Sequence, residues 1–263
     1  MILRAYDYLC TENCESVRYF FDIAYNGTAY HGWQSQNNAL GIQQVIEEKL
    51  FLITQKQIDI TGSGRTDTGV HAIQQIFHAD FAEQINTGDL RFHLNSVLPN
   101  DIMIREIMPV HPEAHARFDA CQRTYQYRII GEKNPFQRKQ AYHYRKSMRL
   151  DALNEAASYL IGKHDFQAFS KVKTDVNNYF CQINQSSWQL NESVYCFNIS
   201  ADRFLRGMVR AIVGTLLLVN EEKLDVMDIE QIILSRDRQK AGRSVPPEGL
   251  YLMKVEYPAE IFI

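Results

Sequence analysis

A ten-residue stretch rich in glycine constrains the fold of this chain most. Gly62–His71, with the sequence GSGRTDTGVH, contains three glycines, two threonines and an Arg–Asp pair. The flanking segments, 57–61 and 75–81, alternate polar and apolar residues, which is typical of strands. We therefore predict a tight, glycine-hinged loop between two strands that presents Asp67 to its surroundings.

Three interpretations of this loop can be compared from the residues alone. Gly, Thr and Asp are common in turns that have no further role. A P-loop would need a Gly-Lys-Ser/Thr sequence, and the stretch contains no lysine. An enzyme that forms an aspartyl phosphate on Asp67 would need Mg²⁺ held by further carboxylates, for which the neighbourhood offers Asp59 and Asp80, each inside a predicted strand.

Further motifs accompany the loop along the chain. They are YNGTAYHGWQSQ at 25–36, GRTDTGVHA at 64–72, LNSVLP at 94–99, HARFDA at 115–120, RTYQY at 123–127, HDF at 164–166, FLRGMVR at 204–210, AG at 241–242 and PPEGL at 246–250. Together, from residue 18 to about residue 257, they resemble the tRNA pseudouridine synthase A family. Asn26 departs from the pattern, because the family often has Asp there.

The periodicity of apolar residues predicts an α+β protein. The first half has the strand–helix–strand–strand–helix–strand order of a split βαβ unit. We predict an N-terminal extension at 1–17 and two subdomains at 18–112 and 113–263. The predicted strands are 19–25, 57–61, 75–81, 101–109, 124–130, 183–189, 194–200 and 250–257, and the predicted helices are 42–55, 88–98, 150–161, 204–219 and 226–235.

The resemblance implies more about the fold: a pseudouridine synthase fold with a largely antiparallel sheet through both halves and an active cleft between them. It also implies the reaction, which isomerises uridine to pseudouridine in RNA without cofactor, metal or nucleotide. Asp67 would be the catalytic carboxylate, and it would either attack C1′ or take a proton from the sugar. Arg65 would enter the space left by the flipped base, and Leu250 would line the pocket.

Two further residues match the family's motifs and also have other interpretations. Arg210 interrupts the apolar stripe of the helix predicted at 204–219, where an unpaired charge is costly, and we predict that it pairs with Asp67. A solvated position is the alternative. Tyr125 would stack on uracil, and its hydroxyl is also a candidate for handling the C5 proton. Because Tyr127 follows two residues later in the same strand, a core role for Tyr125 is the alternative.

Composition bounds the cellular context. The 263 residues are 45% hydrophobic, enough for one or two cores. The five cysteines are scattered and form no Cys-x-x-Cys pair, and the histidines show no spacing typical of metal ligands. We find no signal peptide and no long apolar run in the sequence. These features favour a soluble, cytoplasmic protein with no membrane or metal partner.

The formal net charge of −3 is unusual for a protein that binds nucleic acid. Acidic residues concentrate at 221–230, away from the expected cleft. Basic residues cluster at 138–149 and 236–240 and are candidates for phosphate contacts. Since one subunit has few cations in any cluster, we expect a homodimer that combines them.

We therefore predict a homodimeric tRNA pseudouridine synthase that acts on the anticodon stem–loop at tRNA positions 38–40. Two alternatives are kept: an RNA-binding module of the same fold without turnover, and an aspartyl-phosphate phosphotransferase.

Overall fold

The computed structural model describes residues 16–36, 39–171 and 178–263. Residues 1–15 of the predicted N-terminal extension lie outside these ranges. The first half contains, in order, β1 (Val17–Tyr25), α1 (Ile42–Thr54), β2 (Ile60–Gly62), β3 (His71–Phe81), α2 (Thr87–Val97) and β4 (Ile102–Pro109). The predicted order of strands and helices is confirmed here.

The second half contains more short elements than predicted. They are β5 (Gln122–Ile130), β6 (Tyr142–His143), α3 (Leu150–Ser158), β7 (Gly162–Asp165), β8 (Phe180–Asn191), β9 (Val194–Ala201), α4 (Met208–Asn220), α5 (Asp228–Ser235) and β10 (Leu250–Glu256).

A single sheet runs through both halves in the order β4-β1-β3-β10-β5-β9-β8-β7, with β2 added beside β3 and β6 beside β5. Its pairs are antiparallel except for β3 with β10 and β5 with β6. The largely antiparallel sheet is therefore confirmed. The parallel contact of β3 with β10 joins the two halves, because Tyr251 and Leu252 pair with His71 and Ala72.

Two hydrophobic cores lie along this sheet. One packs α1 and α2 against β1, β3 and β4, and it includes the fully buried Phe20, Phe21 and Phe77. The other packs α3, α4 and α5 against β5, β8 and β9. Tyr125 contacts both cores, so it lies at the boundary between them. The division at residue 112 stays a prediction.

Several predicted boundaries were wrong for local reasons. The helix predicted from 204 begins at Met208, because Gly207 precedes it with a left-handed φ of 73°. Leu205 is still buried, although it lies in the preceding loop. The strand predicted at 57–61 contributes only Ile60–Gly62 to the sheet. Strands β6 and β7 were not predicted, since two and four residues are too few to show alternation.

Candidate active site

The loop that carries Asp67, residues 63–70, connects β2 with β3 as predicted, and Gln75 of β3 holds its first turn. The Gln75 side chain is fully buried. Its amide nitrogen donates to the Gly64 carbonyl at 2.8 Å, and its amide oxygen accepts from the Ser63 hydroxyl at 3.1 Å. The Ser63 N–H also donates to the Ile76 carbonyl at 2.7 Å. A buried polar side chain with both ends hydrogen-bonded fixes the path of the loop.

The second half of the loop packs against residues 26–34. Gly32 has a φ of 89°, and a Cβ on it would lie 2.3 Å from the Thr66 carbonyl oxygen. Only glycine therefore permits this approach. The Thr66 hydroxyl hydrogen-bonds the Tyr25 hydroxyl at 2.9 Å, and the Gly69 N–H donates to the Tyr30 carbonyl at 3.2 Å.

His71 ties three segments together where the loop enters β3. Its Nδ1 accepts from the Gly27 N–H at 3.1 Å, so its Nε2 carries the proton and donates to the Glu248 carbonyl at 3.2 Å. Burial lowers the pKa of His71, which agrees with this neutral tautomer. The ring also stacks on Tyr251 at 4.6 Å between centroids.

Asp67 and Arg210 form an ion pair across 143 positions of sequence. The Arg210 Nη1 donates to the Asp67 Oδ2 at 2.9 Å, and its Nε donates to the Val245 carbonyl at 2.8 Å. Arg210 is the third residue of α4, so the first turn of that helix faces the loop. The Arg210 side chain is 20% exposed and the Asp67 side chain is 32% exposed, which leaves the carboxylate reachable from solvent.

Tyr125 reaches the same site from β5. Burial is the main cause that raises its pKa to about 12, Arg123 opposes the shift, and the negative charge of Asp67 adds to it. The Tyr125 hydroxyl makes no hydrogen bond to any described residue. Tyr127, two residues later in β5, is fully buried and donates to the Pro246 carbonyl at 2.7 Å. Tyr125 itself packs against both hydrophobic cores, so it has a core contact as well as a place beside Asp67.

Leu250 and Arg65 occupy contrasting positions around this centre. Leu250 is buried at the start of β10, opposite Tyr127 in the sheet and beside the point where the loop meets His71. Arg65 lies two residues before Asp67, is exposed, and makes no hydrogen bond or ion pair with any described residue. The structure thus brings Asp67, Arg210 and Tyr125 together, and the exposed Arg65 lies two residues before Asp67.

Two residues near the site were missed among the site predictions. The ring of Phe204 meets Tyr125 edge-on at 5.1 Å between centroids, which adds a second aromatic wall. Arg123 lies two residues before Tyr125 in β5, and that spacing was the available signal. The Arg123 guanidinium donates to the carbonyls of Ser63, Arg117, Ala120 and Asp202, at 2.7 to 3.2 Å.

The charged clusters are less available than the sequence indicated. Lys146 and Lys223 both contact Glu221 at 2.7 Å and lower its pKa to about 2. Arg149 is paired with Glu222. The acidic residues at 221 and 222 therefore neutralise part of the basic cluster at 138–149. In the other cluster, Arg236 is paired with Asp165 at 2.9 Å, and Arg238 donates to the carbonyls of Ala241 and Gly242.

The aspartyl-phosphate alternative gains no support from the nearby carboxylates. Asp80 is held by two hydrogen bonds from Arg18, at 2.6 and 2.7 Å, near the far end of β3. Within residues 16–36, 39–171 and 178–263, no group of three or more His, Cys, Asp or Glu side chains comes together as a metal site. In the same part of the chain, no helix has the length and apolar character to cross a membrane.

Comparisons with known proteins show which family the chain resembles over most of its length. The family model described as tRNA pseudouridine synthase matches residues 23–119 and 156–258. The first segment contains Arg65 and Asp67, and the second contains Arg210 and Leu250. Tyr125 lies between the two matched segments.

Curated relatives extend over most of the chain. The tRNA pseudouridine synthase A of Parabacteroides distasonis is 46% identical, over 93% of this chain and 98% of its own. The Porphyromonas gingivalis protein of the same name is 43% identical, over 94% and 99%. That of Thermoanaerobacter sp. is 38% identical, over 89% and 97%.

Proposed function

The chain belongs to the tRNA pseudouridine synthase family, a family of isomerases, and from this premise we propose that it converts uridine to pseudouridine in the anticodon stem–loop of tRNA, at positions 38–40. The observation that carries the proposal is the ion pair between Asp67 and Arg210, on a loop that several hydrogen bonds hold in place. It supplies an ionised, solvent-reachable carboxylate, which is what cleavage of a glycosidic bond requires.

Asp67 is the catalytic carboxylate in this proposal. The N1–C1′ bond of the uridine breaks, the uracil turns, and C5 forms a new bond to the same C1′. The proton on C5 then leaves, and N1 takes one up, so the product is an isomer of the substrate. Asp67 either bonds to C1′ while the base is detached and is released when C5 bonds to C1′, or it removes a sugar proton and returns it when that bond forms. In both routes it starts as a carboxylate. Arg210 fixes the carboxylate in place through the 2.9 Å contact.

The neighbouring side chains receive the base. A uridine inside a stack is unreachable, so it must be flipped out of the RNA at a cost of a few kcal/mol. Arg65 is exposed and pairs with none of the residues that the structure describes, and we assign it to the space that the flipped base leaves. Tyr125 stacks on the uracil, Phe204 closes the adjacent side, and Leu250 supplies apolar surface beneath.

The proposal includes three further properties: the protein is cytoplasmic, forms a homodimer and needs no cofactor. Because Lys146, Arg149 and Arg236 already pair with carboxylates of the same chain, each basic cluster offers a folded tRNA fewer cations than the sequence indicates. Two subunits related by a two-fold axis would join their remaining cations into one surface. A dimer of about 61 kDa, twice the 30.6 kDa of one chain, is expected in sedimentation before RNA is added.

One assay separates this proposal from its two alternatives. Purified protein is incubated with unmodified tRNA transcript in EDTA, and pseudouridine is mapped along the product. Pseudouridine at positions 38–40 is the expected result. Binding without product would favour an RNA-binding module, and phosphate release that requires added Mg²⁺ and a phosphate donor would favour the phosphotransferase.

A further inference from the structure

Phe118 lies exposed on a rigid turn beside the loop that carries Asp67. The residue is 73% exposed. The turn is fixed by its own side chains: the Asp119 carboxylate accepts from the His115 N–H at 2.6 Å, and the His115 Nδ1 accepts from the N–H groups of Arg117 and Phe118 at 3.1 and 3.3 Å. A single exposed phenylalanine needs no explanation by itself. The residues around Phe118, however, indicate a function for its ring.

The turn is joined to the Asp67 loop by Arg123. One guanidinium nitrogen of Arg123 donates both to the Arg117 carbonyl at 2.7 Å and to the Ser63 carbonyl at 3.2 Å. Ser63 is two residues before the exposed Arg65. The turn is also held to the sheet, since the Ala116 N–H donates to the His78 Nδ1 at 3.1 Å. Phe118 is therefore fixed relative to the start of the loop.

The groups around the Phe118 ring are of the kind that contact bases and phosphates in proteins that bind nucleic acids. The Arg117 guanidinium carbon lies over the Phe118 ring, 5.6 Å from its centroid, and the centroid of the His115 ring lies 4.3 Å from it. An exposed aromatic ring with a cation in contact is a combination with which proteins hold unpaired bases: the ring stacks on the base and the cation meets the phosphate.

We propose that Phe118 is a stacking platform for an unpaired base of the bound RNA, distinct from the uridine that enters the site, with Arg117 contacting the adjoining phosphate. The proposal rests on the proposed function, which supplies an RNA with an unpaired loop. When the target uridine leaves its stack, a neighbouring base loses its partner, and the platform would replace that stacking.

Binding measurements with exposed phenylalanines test the platform. In an Asp67→Asn background, which prevents turnover, Phe118→Ala should raise the Kd for unmodified tRNA transcript about tenfold. The matched control is Phe92→Ala on α2. Phe92 is 69% exposed and also lies beside a histidine ring, at 5.5 Å from His93, but α2 packs on β4 at the edge of the sheet. This control should change the Kd less than twofold.

Fluorescence supplies a readout that a structural role would not move. The chain has two tryptophans, Trp33 and Trp188, and both are only 3% exposed. A Phe118→Trp variant therefore carries one exposed indole, and stacking on a base should quench its emission when RNA binds. Phe92→Trp should show no quenching with the same RNA.

Three outcomes would overturn the platform. They are an unchanged Kd in Phe118→Ala, an unquenched Phe118→Trp variant with RNA bound, and conversion of a dimer to a monomer by Phe118→Ala, which would assign the ring to a protein contact. The proposed function is measured separately, as pseudouridine formed by the unaltered protein. Quenching by RNA without any pseudouridine would refute the function and leave the platform standing.

Discussion

Replacing Arg210 by leucine tests the ion pair on which the proposed reaction depends. The substitution removes the 2.9 Å contact with Asp67 and the 2.8 Å hydrogen bond to the Val245 carbonyl. The position lies in the first turn of α4, between the buried Val209 and Ala211, where an apolar side chain is compatible with the helix. The backbone hydrogen bond from the Val245 N–H to the Arg210 carbonyl does not depend on the side chain. We therefore expect a folded protein.

The size of the effect follows from the geometry. A hydrogen bond between charged groups contributes about 1.5–3 kcal/mol. Water reaches both side chains, since Arg210 is 20% and Asp67 32% exposed. The contribution of the pair to the free energy of unfolding therefore lies in the lower half of this range. In the reacting complex the RNA excludes that water, and losing the full interaction would slow the chemical step by about 10- to 150-fold.

Single-turnover kinetics with saturating enzyme isolate this step from RNA binding. Arg210→Lys should be intermediate, since an ammonium group keeps the charge but cannot reproduce both contacts of the guanidinium. Arg206→Leu is the matched control, because it removes an exposed cation four residues earlier, outside α4. It should weaken tRNA binding at most and leave the single-turnover rate unchanged. A rate for Arg210→Leu within threefold of the unaltered protein would refute the role of the ion pair.

Three other predictions can be measured on the same material. Asp67→Asn should keep tRNA affinity and lower pseudouridine formation by more than about 1,000-fold, and a loss of only tenfold, about 1.4 kcal/mol, would contradict its role. Tyr125→Phe should keep the Kd for tRNA within about twofold, whereas Tyr125→Ala should raise it about tenfold, because one base stack contributes about 1–3 kcal/mol; equal values would argue against stacking. Burial lowers the pKa of His78 from 6.5 to about 4, so the unfolded chain binds its proton first and stability should fall as the pH drops from about 6.5 towards 4. His78→Asn keeps an acceptor for the Ala116 N–H and should flatten that loss in urea titrations, and an unchanged slope would contradict the assignment.

Local patterns in the sequence predicted which elements surround Asp67, although the strands predicted at 57–61 and 75–81 are Ile60–Gly62 and His71–Phe81. Alternation on either side of the glycine-rich stretch identified β2 and β3, and helical spacing identified α1 at 42–55, against the observed Ile42–Thr54. These predictions succeed because alternation and helical periodicity depend on which face of one element is buried, and a single segment carries that information.

Elements without such a pattern were not predicted correctly. β6 and β7 are recognisable only from their partners in the sheet, because each is too short to alternate. The predicted start of α4 was four residues early, since Leu205 is buried by packing and not by helical position. The ion pairs of Glu221 with Lys146 and Lys223 were likewise unpredicted, because residues 146 and 221 meet only after folding.

The sequence by itself determined the glycine-hinged loop, the strands beside it and, through resemblance to a family, the residues expected at the site. Only the tertiary structure decided how these residues meet. The pairing of β3 with β10 joins the two halves, and α4 then brings Arg210 to Asp67 across 143 positions. Arg123 shows the same dependence, since its four carbonyl partners come from three separate segments of the chain. Backbone carbonyls are identical at every residue, so no side-chain pattern records which of them a folded chain will present to a half-buried guanidinium.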